Sequence, residues 1–287
     1  MAKPKILVQL DSDPQPSVFD AVVAVDSGVD HLLQYSHVEA AQIRDLIYGA
    51  IFTRGVDDLR STAIFIGGSD VAAGETLLEK VRGTFFGPMR VSVMLDSNGA
   101  NTTAAAAVLV AAKHVSLHQA KALVLAGTGP VGSRVVRLLA AQGAAVRVGS
   151  RSFERAKEVC EAVTARVPGA LVAPVVTGSD EQLRRDLEAV DIVVAAGAPG
   201  VHLLPQKLCK GAKSLKLAID LSAVPPLGIE GVEVTDAGKE RDGLIAYGAI
   251  GVGGTKMKIH KAAIRRLFER NDQVLDAEEI FAIGQEL

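Results

Sequence analysis

Cysteine is scarce in this 287-residue chain: Cys160 and Cys209 stand alone and far apart. They lack the paired spacing of a metal or dithiol site, so they read as reduced thiols filling the core of an intracellular protein. No apolar run reaches the roughly 18 residues of a membrane span. The opening stretch from Met1 meets Asp11 before a signal-length apolar region develops, which predicts a cytoplasmic protein with no membrane partner. Long blocks of like charge are also missing, and a formal charge of -2 provides no broad attraction to nucleic acid. His31, His37, His114, His118, His202 and His260 form no HExxH or comparable ligand pattern. They read as ordinary surface or core histidines, and no metal is expected. With 48% hydrophobic and 22% charged residues, the chain is globular and long enough for two domains.

What is present centres on Lys121-Ala-Leu-Val-Leu-Ala-Gly-Thr-Gly-Pro-Val-Gly132. Ala122 to Ala126 is the continuous apolar run of a strand buried on both faces, and Val131 to Gln142 has apolar residues at helical spacing. Gly127, Gly129 and Gly132 therefore fall where a strand gives way to a helix. The first permits the tight bend, the second lets backbone approach a pyrophosphate, and the third lets helix and strand pack closely. Thr128, Pro130 and Val131 complete the turn and place a helix N-terminus toward the anion.

The next strand ends at Ser150 and Arg151, nineteen residues beyond Gly132 at the last count. An NAD site would usually place Asp or Glu near here for the ribose 2′-hydroxyl, and none is present. Ser150, Arg151 and Ser152 instead offer donors, and Arg155 follows one helical turn later, which suits a 2′-phosphate and favours NADP, with NAD a weaker cosubstrate. Arginines facing solvent are the plain alternative.

Strand patterns recur at Ala170 to Val176, Val190 to Ala196, Leu215 to Asp220 and Leu244 to Ala249, with helices at Phe153 to Arg166 and Asp180 to Ala189. This alternation predicts a Rossmann doubly wound parallel sheet over residues 118–250. Ala196 and Gly197, small residues at a strand end, leave room for the dinucleotide. The first 117 residues predict a second α/β domain, with strands Ile6 to Leu10, Thr62 to Ile66 and Val91 to Leu95 and helices Ser17 to Val25, Val38 to Tyr48, Val71 to Val81 and Asn101 to Ala112. Its strand ends carry polar clusters: Asp11-Ser12-Asp13, Gly67-Gly-Ser-Asp70 and Asp96-Ser-Asn-Gly-Ala-Asn-Thr-Thr103. Turn and cap chemistry explains any single member; the set as a whole predicts a ligand-facing contribution.

The stretch Tyr247-Gly-Ala-Ile-Gly-Val-Gly-Gly-Thr-Lys256 lacks the Gly-Lys-Ser/Thr order of a P-loop. It predicts a helix from Met257 to Arg270, capped by Thr255, with Lys256 in the first turn at the unfavourable end of the dipole. A cation there suits an anionic or carbonyl-bearing substrate, or simply extends into solvent.

Together Ser17-Val-Phe-Asp20, Asp96-Ser-Asn-Gly-Ala-Asn-Thr-Thr103, Ala126-Gly-Thr-Gly-Pro-Val-Gly132, Pro225-Pro-Leu-Gly-Ile229 and Gly248-Ala-Ile-Gly-Val-Gly-Gly-Thr-Lys256 resemble methylene-tetrahydromethanopterin dehydrogenase over nearly the whole chain. The resemblance implies a bacterial enzyme of one-carbon (formaldehyde) metabolism. It also implies an architecture similar to methylene-tetrahydrofolate dehydrogenase: residues 1–117 and 251–287 form a pterin domain with a returning C-terminal helix, facing the NADP domain across an interdomain cleft. A homo-oligomer, trimer or hexamer, is implied too. Asp20, Asn98, Thr102 and Lys256 become the substrate-side residues, with Lys256 an orienting group.

Such a reaction transfers hydride from a methylene bridge and leaves a methenyl cation that the flanking nitrogens delocalise. No proton is removed, so positioning carries the catalysis and the missing triad is expected. Tetrahydrofolate is a second candidate carrier, since the reacting rings are alike. Two competing readings are a shikimate-dehydrogenase-like NADP oxidoreductase, which needs a Lys–Asp pair that the N-terminal half does not offer, and a non-catalytic NADP-sensing protein.

Overall fold

The computed structural model describes residues 3–287. The chain divides into two compact units, one running up to Thr102 and resuming at Met257–Leu287, the other spanning Thr103–Lys256. In chain order, β1 (Ile6–Leu10) leads through α1 (Val18–Asp26), β2 (His31–Tyr35), α2 (Ile43–Ile51), β3 (Thr62–Ile66) and α3 (Val71–Thr84) to β4 (Ser92–Leu95). Next come α4 (Ala100–Ala112), β5 (Lys121–Leu125), α5 (Pro130–Ala141), β6 (Ala145–Ser150), α6 (Phe153–Arg166), β7 (Leu171–Val176) and α7 (Asp180–Asp186). They are followed by β8 (Ile192–Ala195), α8 (Gln206–Gly211), β9 (Leu217–Asp220), β10 (Ala237–Arg241) and β11 (Leu244–Tyr247). The chain closes with α9 (Ala249–Arg266), β12 (Val274–Leu275) and α10 (Ala277–Gln285). No helix among the described residues is long and apolar enough to cross a membrane.

The first unit has a parallel five-stranded sheet in the order β12-β4-β3-β1-β2. Val8, Leu10, Ile64, Ile66, Val93 and Leu95 point to one face and bury Ile43, Ile47 and Ile51 of α2 with Leu77, Leu78 and Val81 of α3. Because β1 lies between β2 and β3, the winding reverses at β1, and polar residues beyond the β1 and β3 ends fall at a topological switch point.

The second unit has a seven-stranded sheet in the order β10-β11-β9-β8-β5-β6-β7, parallel except for β10. This is a doubly wound Rossmann sheet, reversing between β5 and β8. Four of the five residues of β5 and all four of β8 are buried, as covered parallel strands require. Leu123, Leu125, Val193, Ala195 and Ala218 pack against Leu183, Leu187, Leu204 and Leu208 on one face.

Several sequence expectations shift. The helix expected from Val38 begins at Ile43, because Val38 N–H donates to Asp11 O at 2.9 Å and the intervening residues form a turn. The strand expected to reach Ala249 ends at Tyr247. The final helix begins at Ala249, eight residues early, since the N–H groups of Gly248 and Ile250 find acceptors in Asp236 O and Val234 O at 2.9 Å each. A methyl group at Gly248 or Gly251 would overlap the 233–237 backbone. These glycines serve close packing. Lys256 consequently lies in the helix interior rather than its first turn, and Thr255 is not its cap, so the dipole argument for Lys256 does not apply.

Candidate functional site

The turn after β5 is built by close approach. A methyl at Gly132 would sit 2.6 Å from Ala126 O and 2.9 Å from Gly127 Cα, and one at Gly127 would lie 3.0 Å from both Val124 O and Val148 Cγ1. Only glycine lets α5 start this near the strand it follows. Gly129 is the N-cap residue of α5 and Pro130 stands at its first turn, where a missing N–H costs nothing. Ala196 closes behind this turn, its carbonyl 3.8 Å from a methyl placed on Gly129.

Beyond the β5, β6, β7 and β8 ends opens a cavity of about 590 Å³ lined by Ala126, Thr128, Ser150, Arg151, Ser152, Arg155, Thr177, Gly178, Gly197, Ala198, Val201, His202 and Leu203. Thr128, Ser150, Arg151, Arg155 and Gly197 of the expected set thus meet on one wall, while Gly127, Gly129, Pro130, Val131, Gly132 and Ala196 form the turn and strand end beside it. Ser152 N–H donates to Ser150 Oγ at 3.2 Å, and Ser152 Oγ accepts from Arg155 N at 3.4 Å, capping α6. This local bonding leaves Arg151 and Arg155 exposed on the wall, with no acid among the lining residues. The arginines make this stretch of the lining cationic, at the point where the sheet's winding reverses.

The lining residues Ala198, Val201, His202 and Leu203 belong to a loop tied by backbone bonds to the 221–230 loop. Leu203 and Leu204 N–H donate to Gly228 O at 2.8 and 2.9 Å, and Glu230 N–H donates to Leu204 O at 3.0 Å. Asp220, fully buried at the end of β9, accepts from Ser222 N at 2.9 Å and Ile229 N at 2.7 Å. Burial pushes its carboxyl above the ordinary carboxylate range, against the lowering effect of the Ser222, Ile229 and Gly228 N–H groups and of the charge on His202.

In the first unit, the three polar strand ends do come together. Asp11 is buried and accepts from Asp13 N and Ser17 N at 3.0 and 3.1 Å. Asp70 caps α3, accepting from Ala73 N at 3.0 Å. Thr102 is fully buried and donates from Oγ1 to Asp96 Oδ2 at 2.6 Å, so it stabilises the turn and offers no surface to a ligand. Ser97 Oγ donates to Gly67 O and Asn98 N to Gly68 O, each at 2.6 Å. Asn98 has φ 54, a left-handed conformation that asparagine tolerates, and is exposed. Asp20 is half-buried on α1, and its Oδ2 would be 3.6 Å from a methyl on Gly67. Lys256 is half-buried on α9.

Against this geometry, a family model described as methylene-tetrahydromethanopterin dehydrogenase, N-terminal, matches residues 18–98. A second, described as shikimate / quinate 5-dehydrogenase, matches residues 109–234. The bifunctional protein MdtA of Methylorubrum extorquens is 45% identical over 99% of both chains. The chain belongs to the methylene-tetrahydromethanopterin dehydrogenase family. The NAD(P)-dependent methylenetetrahydromethanopterin dehydrogenase of the same organism is 28% identical over 94% of both chains. Shikimate 5-dehydrogenase from Listeria monocytogenes, solved with shikimate and NAD, shares the fold at a TM-score of 0.56 and 14% identity, covering 99% of this chain and 96% of that one.

For a member of this dehydrogenase family, the sequence reading missed Thr177, Gly178, Val201, His202 and Leu203 on the cavity wall and Asp220 behind it. The sequence pattern makes His202 an ordinary histidine, whereas the structure places it on the cavity lining. Thr177 follows the strand paired with β6, and Gly149 explains its placement: a methyl there would lie 3.0 Å from Thr177 Cγ2. The strand-end position of Thr177 was the available signal. His260, by contrast, is a core histidine, stacked on Phe65 with ring centroids 5.6 Å apart.

Proposed function

We propose that this chain catalyses NADP-dependent, reversible oxidation of methylene-tetrahydromethanopterin to methenyl-tetrahydromethanopterin in one-carbon (formaldehyde) metabolism, accepting methylene-tetrahydrofolate as a second carrier and NAD as a weaker cosubstrate. The observation that carries the cofactor choice is the cavity at the β5/β8 switch point, where Ser150, Arg151 and Arg155 stand without an opposing acid. Its volume of about 590 Å³ lies within the range of cofactor pockets. The packing at Gly127 and Gly132 favours a dinucleotide, because it brings the N-terminus of α5 close to the strand end where the pyrophosphate would lie.

When bound, NADP supplies a nicotinamide ring that takes hydride from the methylene carbon. The residues of this chain have to bind and orient. Arg151 and Arg155 hold the 2′-phosphate, with Ser150 as a further donor. Asp20 and Asn98 hydrogen-bond the pterin, which presents amide-like donors and acceptors. Thr102 acts indirectly, by fixing Asp96 and the turn that presents Asn98. Lys256 orients the pterin or its neighbouring carbonyl. It is not required as an acid or base, since no proton leaves in the hydride step. In this reading residues 118–250 bind NADP and residues 1–117 with 251–287 bind the pterin, in a cytoplasmic homo-oligomer, trimer or hexamer.

The test is a two-by-two assay of both pterin carriers with NADP and NAD, using a substrate deuterated at the bridging carbon. Deuterium is expected in the reduced nicotinamide, with NADP preferred. Turnover without label transfer would overturn direct hydride transfer, and NAD preference would overturn the 2′-phosphate assignment. Lys256→Ala is expected to raise the pterin KM or slow single-turnover hydride transfer. Unchanged values for both would remove Lys256 from the site.

A further inference from the structure

Ala198, Val201, His202 and Leu203 line the cavity from one loop, which has an internal bond from Val201 N–H to Ala198 O at 3.3 Å but takes most of its backbone support from outside. Its backbone is bonded to the 221–229 loop: Gly200 N–H donates to Val224 O at 3.3 Å, and Leu203 and Leu204 N–H both donate to Gly228 O. Gly228 is held in turn from the other side. Its N–H and that of Ile229 donate to the Asp220 carboxylate, the latter to Oδ2 at 2.7 Å, while Ser222 N–H donates to Oδ1 at 2.9 Å.

The contacts around this joint leave little slack. A methyl on Gly228 would be 3.0 Å from both Asp220 Oδ1 and Ala195 Cβ, and one on Gly197 would be 2.8 Å from Leu203 Cδ1. Gly228 thus sits against Asp220 and Ala195 on one side and, through its carbonyl, bonds the Leu203 and Leu204 backbone on the other.

We propose that Asp220, which does not line the cavity, is a positioning residue for the dinucleotide: its carboxylate fixes the Gly228–Ile229 peptide, and through it the Leu203–Leu204 backbone and the wall bearing Val201, His202 and Leu203. The proposal rests on the cavity being the dinucleotide site. A carboxylate fits this role because it accepts at both oxygens from N–H groups on two sides of one loop. Burying it with fewer bonds would be costly, which ties its presence to the closed loop. The arrangement also accounts for Gly228 within Pro225-Pro-Leu-Gly-Ile229, a segment whose role composition alone does not explain.

Asp220→Asn keeps the shape but turns one acceptor into a donor facing a backbone N–H. Kd for NADPH, read by its fluorescence, is expected to rise about tenfold, the effect of one lost buried hydrogen bond. The pterin KM should stay within about twofold, as should kcat at saturating NADP. A lower melting temperature with unchanged NADPH Kd would make Asp220 merely structural and overturn the proposal. Should the variant fail to fold, hydrogen exchange on the wild type decides: NADPH is expected to protect residues 198–204 and 221–229 together. Protection of 198–204 alone would overturn it. Failure of the wild type to bind NADPH or NADH would reject the cavity assignment and this inference with it, an outcome distinct from normal binding in both wild type and variant.

Discussion

Arg151 is exposed in a turn tied by Ser152 N–H to Ser150 Oγ and by Arg155 N–H to Ser152 Oγ, so its guanidinium is not what holds those two bonds. Arg151→Ala is expected to weaken NADP binding by about 10- to 100-fold, the range for a charge-assisted hydrogen bond or two, while NAD binding changes little. Calorimetric titration with both cofactors checks this; equal losses would contradict a 2′-phosphate contact. Thr102 presents the opposite situation, a side chain committed inward. Thr102→Val keeps the volume but removes the donor to Asp96 Oδ2, which should cost about 1–3 kcal/mol of stability because Asp96 is itself buried. A urea midpoint that did not move would show that the Asp96 turn is held by its other bonds.

The β5–α5 connection shows the same reasoning at the level of an element. Gly132→Ala would bring a methyl against Ala126 O and Gly127 Cα, and relieving that overlap means moving the start of α5 away from the strand. A loss of about 1–3 kcal/mol in stability, typical of overpacking, is expected together with weaker dinucleotide binding. Thermal melts with and without NADPH separate the two effects. This element was legible in the sequence because close approach demands glycine, and glycine at that spacing is visible in a single chain. The arginine wall was legible for a similar reason, being local to one strand end. By contrast β2 was missed: it is an edge strand with four of its five residues exposed, so it shows no hydrophobic alternation. Asp220 and His202 were also missed. They come into the same region only because β9 lies beside β8 and the loops after both strands are bonded together, and no local pattern encodes that. The early start of α9 escaped for a further reason: Gly248 and Gly251 look like helix breakers until the backbone they pack against is seen.

Across the whole molecule, buried and half-buried carboxylates shape how stability responds to acid. Burial alone would raise Asp191, but Lys216 Nζ at 2.8 Å and the Lys121 N–H hold its carboxyl below the ordinary range. Asp236 follows the same pattern, with burial opposed by the Arg241 guanidinium. For these groups the folded form binds its proton less readily than the unfolded chain, so their stabilisation is present above the unfolded carboxylate value of about 3.9 and is lost as pH falls through the folded values. Asp220 and Asp186 are raised, chiefly by burial, and act in the reverse sense: their contribution is present at low pH and fades as pH rises through their folded values. The two sets overlap near the acid limb, so a single melting curve does not separate them. Asp191→Asn does, because it removes one lowered group and leaves Asp220 and Asp186 intact. The stability gap between wild type and Asp191→Asn is expected to be widest near neutral pH and to narrow below about pH 4, where the wild-type carboxylate also gains a proton. Urea unfolding across pH 3 to 7 measures the gap directly. A gap of constant size would mean that Asp191 contributes through shape and hydrogen bonding alone, and that its pairing with Lys216, partly exposed to water, is screened to nothing.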